Sequence, residues 1–381
     1  MNRRKFLTVV GGGTVVAAGV SFGGFAFTRT PHLALKPWED AGSIYTDPRK
    51  KALSYAILAP NPHNRQPWKI DLSEDNTIKI LIDTDRVLPH TDPFNRQITI
   101  GVGCFLEVLQ IAAANDGYEV KDQLFPEGVN EEKLDDRPIA ILTFKKNNNI
   151  LKDPLFTQIL NRRSLKEPYD LNRSVSDKAL STLEKSINGT LSVGATNDPE
   201  RITELRDLTS KALILEIDTP RTFKESVDLF RIGKEEVEKN PDGIDFTGTL
   251  FDTLALFGQF SRELTLDRTS SAYKQGVSAM LENTETAMGY VWLVTKENTR
   301  IDQILAGRDW VRVNLAATSI GLGTQPLSQV LQEYPEMSEF YAKTHQIFAP
   351  DGGTIQMLAR LGYGIKVPPS PRWELKNKII G

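Results

Sequence analysis

Residues 103–114 carry the clearest periodic signal in the chain. Phe105, Leu106, Val108, Leu109, Ala112 and Ala113 follow helical spacing, and Asp116-Gly117 stops the run. Ahead of it, residues 49–58 predict a helix, and the alternating stretches 68–72 and 77–82 predict two strands joined by the hairpin turn Ser73-Glu74-Asp75-Asn76. Residues 139–144 predict another strand, followed by a polar linker over 145–149. Residues 30–48 read as a polar, Pro-containing arm. Farther on, 205–217 and 221–239 are helical by period and charge pairing, Pro241-Asp242-Gly243 breaks the chain, and 250–264 is helical again. Residues 288–295 predict a buried strand, and 355–361 are another apolar run.

The pattern repeats. The stretch from Gly103 to Gly117 aligns without gaps on that from Gly307 to Gly321, each with paired alanines at the same depth, Ala112-Ala113 and Ala316-Ala317. Lys51-Ala52-Leu53-Ser54 recurs as Lys178-Ala179-Leu180-Ser181. Two unrelated Ala-rich helices would also produce the longer match. Two diverged copies of one α+β unit explain both. The expected organisation is a segment 1–30, a first half 49–150, and a second half 151–381 interrupted by a helical insertion at about 205–265.

Composition narrows the function. A chain of 381 residues is long for one domain, with ordinary shares of hydrophobic (40%) and charged (25%) residues. Its net charge of −3 argues against nucleic acid as a partner. Cys104 is the only cysteine, and His32, His63, His90 and His345 lack ligand spacing, so neither a disulfide nor a metal site is expected. Arg3-Arg4-Lys5 precedes a Gly-rich run that is uncharged until Arg29. This reads as a signal-type segment kept out of the fold, cleaved after the small residues near Ala26 or, since 6–27 is long enough to span a bilayer, retained as an uncleaved anchor.

Three stretches carry candidate chemistry. Ala59-Pro60-Asn61-Pro62-His63-Asn64-Arg65-Gln66-Pro67-Trp68 holds three prolines, which stiffen it and remove backbone donors. The amides of Asn64 and Gln66 then suit a flat heterocycle with alternating donors and acceptors, although an ordinary Pro/Asn-rich turn has the same composition. Arg162-Arg163-Ser164-Leu165-Lys166 could cradle a phosphate through paired guanidinium donors and a point charge, or could be a solvated helix end. Gly321-Leu322-Gly323 follows the second repeated helix and by itself is a helix cap.

Taken as a set, these stretches resemble the nitroreductase superfamily. The first is similar to its flavin loop, with Asn61 where the family pattern has Ser. The second is similar to its phosphate-binding segment, the third to its Gly-Leu-Gly loop, and Gly362-Tyr363-Gly364 with Pro371-Arg372 to its closing strand and terminal phosphate-binding Arg. The flavin loop occurs only in the first half and the other elements only in the second. That distribution resembles the internally duplicated, Acg-like branch, in which one chain imitates a dimer. The adjacent arginines resemble a twin-arginine export signal, a route that carries folded, cofactor-loaded proteins.

The resemblance implies a nitroreductase-like α+β fold, a pseudo-dimer that is monomeric or forms a higher oligomer, and FMN as cofactor. Asn64 and Gln66 would meet the ring, and Arg162, Arg163, Ser164, Lys166 and Arg372 the phosphate. Gly321, Leu322 and Gly323 would support the ring. Chemistry would rest with the flavin, with no catalytic side chain; His63, beside the loop, reads as structural. The implied function is an oxidoreductase acting on nitro or quinone-like acceptors, its electron donor not named by the sequence, exported to the periplasm and in contact with the membrane at its N-terminus. The alternative is a lidded protein that stores flavin with little turnover.

Overall fold

The computed structural model describes residues 29–189 and 191–381; the targeting segment, with Arg3 and Arg4, lies outside them. The chain opens with helix α1 (His32–Asp40), where the sequence suggested an irregular arm, and α2 (Pro48–Ala56), capped by Asp47. Strands β1 (Trp68–Asp71) and β2 (Thr77–Ile82) form the expected hairpin, Asn76 taking its left-handed turn position. Helix α3 (Arg96–Asn115) and strands β3 (Tyr118–Leu124) and β4 (Ala140–Lys146) complete an antiparallel sheet ordered β1-β2-β4-β3. Helix α3 is long and apolar enough to cross a membrane, but almost all of it is buried among the sheets and helices of the core.

The second half follows the same order of elements. It runs α4 (Asp177–Glu184), β5 (Ser192–Thr196), β8 (Gly289–Thr295), α11 (Arg300–Ser319), β9 (Gly323–Pro326) and β10 (Thr354–Gly362). Its antiparallel sheet is ordered β5-β8-β10-β9, the arrangement of the first sheet with each strand at the corresponding place. Lys51–Ser54 lie in α2 and Lys178–Ser181 in α4, so the short sequence repeat falls on the helix ahead of each sheet.

The stretch without a counterpart lies between β5 and β8. It holds α5 (Pro199–Asp218), α6 (Pro220–Asp228), β6 (Phe230–Ile232), α7 (Gly233–Lys239), β7 (Ile244–Phe246), α8 (Thr249–Leu256), α9 (Arg262–Leu266) and α10 (Ser271–Glu285). The helix expected over 221–239 is split by β6, which pairs in parallel with β7, and by Gly233 at φ +80°. The helix expected over 250–264 is broken at Gly258, φ +65°. Helix α12 (Ser338–Phe348) fills the connection from β9 to β10.

Helices α3 and α11 pack against each other reciprocally. A Cβ on Gly103 would penetrate the Ile304 carbonyl and come within 2.9 Å of the Gly307 Cα; a Cβ on Gly307 would penetrate the Ile100 carbonyl and come within 2.8 Å of the Gly103 Cα. Cys104 Sγ donates to Gly307 O at 3.1 Å. These glycines sit inside their helices, seven residues farther in than the aligned stretch suggested. A mid-helix glycine costs roughly 1 kcal/mol against alanine, and here it permits backbone-to-backbone contact. Gly103→Ala therefore pushes two helices apart and should lose about 1–3 kcal/mol, as overpacking does. A lower urea midpoint at unchanged slope would be the expected result, and an unchanged midpoint would contradict this crossing.

Candidate functional site

The Pro/Asn-rich loop leaves α2 and packs against α3 at Gly101. Gly101 lets it come close, for a Cβ there would sit 3.2 Å from Asn61 Cβ and Pro62 Cδ. His63, Asn64 and Gln66 all adopt left-handed backbone, at φ 46°, 51° and 50°. Three such non-glycine residues in four positions cost energy that the surroundings must offset. The bracing is extensive. Asn61 Oδ1 accepts from Gln66 N at 2.7 Å and its Nδ2 donates to Ala59 O, so the residue standing in place of Ser holds the loop closed. Lys378 donates to Gln66 O at 2.7 Å, and Trp68 is buried against Phe105.

Four cations gather at this loop. Arg372 is buried; its Nε donates to Ile57 O, its Nη2 to Leu58 O and Ala59 O, and its Nη1 to Asn64 Oδ1 at 2.6 Å. Arg162, also buried, donates to the same Leu58 carbonyl and to Asn314 Oδ1, each at 3.2 Å. Arg163 and Arg372 lie 4.9 and 5.4 Å from the centre of the Trp38 ring. Burial first, then the neighbouring guanidinium, lowers Arg162 to about 10 and Arg372 to about 9. Lys166 is likewise lowered by desolvation, although water reaches its side chain. Among the described residues no carboxylate lies within ion-pair distance of these four. The one acid acting on both Lys166 and Arg372 is Asp245 on β7, water-accessible and raised by desolvation in turn.

Such a cluster fits an anion. Like charges gathered without counter-ions, two of them buried, are unfavourable until a negative partner arrives. Arg163 Nε and His63 Nδ1 are buried without hydrogen-bond partners. His63 is pushed down to about 4 by burial and then by Lys166, so its ring is neutral at ordinary pH. Ser164 is half-buried among the cations, and its hydroxyl has no partner among the described residues.

The structure thus brings Asn64, Gln66, Arg162, Arg163, Ser164, Lys166 and Arg372 to one place. Gly323 joins them through β9, where Leu165 N donates to Thr324 O at 2.9 Å. Several groups expected to face a ring are spent on the protein. Gln66 Nε2 donates to Pro241 O at 2.7 Å and its Oε1 accepts from Trp373 N at 2.9 Å. Asn64 Nδ2 donates to Pro371 O, and the N–H groups of Gly321 and Leu322 close the last turn of α11 on Thr318 O and Ala317 O. Gly321, at φ +68°, is the helix stop, and Leu322 is core.

The residue that sequence reasoning passed over is Asp242. Read as part of a chain break, Pro241-Asp242-Gly243 docks on the loop, Gly243 N donating to Asn64 O at 3.3 Å. Buried Asp242 receives Arg231 Nε and Nη2 at 3.0 and 2.8 Å, Arg65 Nη1 at 3.4 Å, and Arg86 Nη1. Two of these arginines belong to the first half. The insertion is latched to the loop through one carboxylate.

No protein-family model matches the chain. Over 130 residues it is 30% identical to “Putative NAD(P)H nitroreductase acg” of Mycobacterium tuberculosis, an alignment covering 33% of this chain and 38% of that protein. It is also 30% identical over 127 residues to the uncharacterized protein Rv3127 of the same organism, covering 32% and 35%. The chain therefore spans little more than a third of the length of the curated relatives it matches. Among solved structures it resembles the FMN-dependent nitroreductase NfnB from Mycobacterium smegmatis in complex with NADPH, at 17% identity, 58% and 94% coverage and a TM-score of 0.34. A nitroreductase with bound FMN from Bacteroides fragilis gives 14%, 59%, 95% and 0.31. The sequence similarity to the mycobacterial protein thus covers about a third of each chain.

Proposed function

We propose that the protein is an FMN-binding, nitroreductase-like oxidoreductase whose single flavin site is built from both halves of the chain. The observation that carries this reading is the cluster of Arg162, Arg163, Lys166 and Arg372, short of counter-charge and set against the strained loop 61–66. One mycobacterial relative is named a putative NAD(P)H nitroreductase, and several structurally similar nitroreductases were crystallised with FMN.

In this reading Arg163, Lys166 and Ser164 hold the phosphate directly, since their donors are the least committed. Arg162 and Arg372 add charge while fastening the carbonyls of residues 57–59. Asn64 and Gln66 position the loop that meets the ring, and Gly321, Leu322 and Gly323 shape the opposite wall. Neutral His63 lies within the loop and moves no proton near pH 7. Bound FMN supplies the redox chemistry at its ring. The β6–β7 pair and the Pro241-Asp242-Gly243 turn exclude water from the loop side, so reduction requires access past them. The acceptor is a small nitro or quinone-like molecule, the electron donor is a reductant of the compartment, and the protein is exported with its N-terminal segment at the membrane.

Matching sheet orders and the reciprocal Gly103–Gly307 crossing support an internal duplication that makes the monomer a pseudo-dimer. Two like copies would by themselves suggest two sites. The test is flavin stoichiometry on the monomeric chain reconstituted with FMN, followed by turnover with several donors. One FMN per chain is expected; two per chain, or none, would overturn the composite site.

A further inference from the structure

Helix α8 ends in an apolar tip. Leu256 is 78% and Phe257 72% exposed, the most exposed apolar pair adjacent in sequence among the described residues. From Thr247 to Ser261 the sequence carries one charged residue, Asp252, whose side chain is only 6% exposed and lies 3.7 Å from Arg29. Behind the tip, Phe251 and Phe260 stack with Phe246 and Phe230, with ring centroids 4.5–6.4 Å apart. The tip therefore faces outward from an aromatic base and is not folded into the core.

Arg29 is also where the chain enters the described structure. Before it, no residue from Phe6 to Thr28 is charged. The long uncharged run thus joins the protein at the same helix that presents Leu256 and Phe257, and its first charge neutralises that helix's acid. A bilayer that takes up such a run meets α8 first, because the tether raises the local concentration of the tip at the membrane.

We propose that Leu256 and Phe257 dock into the surface of a lipid bilayer, so that the insertion latched over the loop is a membrane-facing element. Amphipathic helix ends with aromatic and leucine side chains and no charge on the buried side favour the headgroup–acyl boundary. An exposed apolar pair next to a membrane-seeking run is the kind of patch that marks an interaction site. The inference rests on the reading of residues 6–27 as a retained membrane segment.

The test uses the full chain in phosphatidylethanolamine–phosphatidylglycerol vesicles, with Phe257→Cys carrying an environment-sensitive fluorophore. Cys104 is buried and does not compete for the label. The expected result is co-flotation with a blue-shifted emission that is largely lost when the lipids carry acyl-chain quenchers, while a label at Glu127→Cys on the first half keeps its emission. Co-flotation with an unquenched label at 257 overturns the docking and leaves the anchor reading intact. A blue shift without lipid quenching shows the tip covered by protein, either residues 6–27 or a second copy, and also overturns it. Failure of the full chain to float overturns both.

Discussion

Asp242→Ala should release the insertion from the flavin-type loop and destabilise the protein by about 3–5 kcal/mol, the usual cost of removing one partner from a buried ion pair. Arg231 makes two bonds to Oδ1, while Arg65 and Arg86 converge on Oδ2. Arg86 keeps a second acid, Asp83 at 3.0 Å, but Arg65 and Arg231 have no other ion-pair acid among the described residues. Arg65 is already pulled down by desolvation, with Asp242 the main influence raising it again. Removing the carboxylate therefore leaves guanidiniums facing one another. Hydrogen exchange should rise over β6, β7 and residues 61–66 together, because Gln66 Nε2 and Gly243 N bond across the same junction. Asp242→Asn keeps the shape without the charge and should recover only part of the loss. Unchanged exchange in these segments would show that the latch holds nothing.

Lys166→Met should weaken FMN binding by about 10- to 100-fold, from the roughly 1.5–3 kcal/mol of a charge-assisted bond. The protein without flavin should be no less stable than before. Lys166 has no hydrogen bond to its ammonium among the described residues, and its charge is disfavoured by desolvation, so the native contacts lose little. Arg162→Met would be a poorer probe, since Arg162 also ties Leu58 O to Asn314 and its loss would disturb the fold and the site together. Flavin fluorescence titration of Lys166→Met, paired with a thermal melt of the flavin-free protein, separates the two effects. An unchanged dissociation constant would remove Lys166 from the phosphate site. A wild-type affinity that falls with added salt, against a flatter dependence in the variant, would support a partly screened charge contact.

Local sequence was enough to specify several elements of each half and to single out the stretches that meet. Period and alternation are read from neighbours a few positions apart, so α3, β2 and β8 were legible, as were the repeats in α2 and α4. Residue chemistry likewise marked the loop 59–68 and the segment 162–166, because prolines, paired amides and clustered cations carry their properties anywhere. What local sequence could not decide was who bonds to whom. Gln66 looked like a donor to a ring; in the fold both ends of its amide are claimed by Pro241 and Trp373, far away along the chain. Gly103 and Gly307 appeared as ends of an alignment, and only the packing of α3 on α11 makes them a crossing point. Pro241-Asp242-Gly243 looked like a break because turn-forming residues announce a bend and say nothing about its destination. A buried carboxylate needs cations from elsewhere, and which arginines reach it depends on long-range closure of the chain. That is why the latch, unlike the loop it holds, was visible only in the tertiary structure.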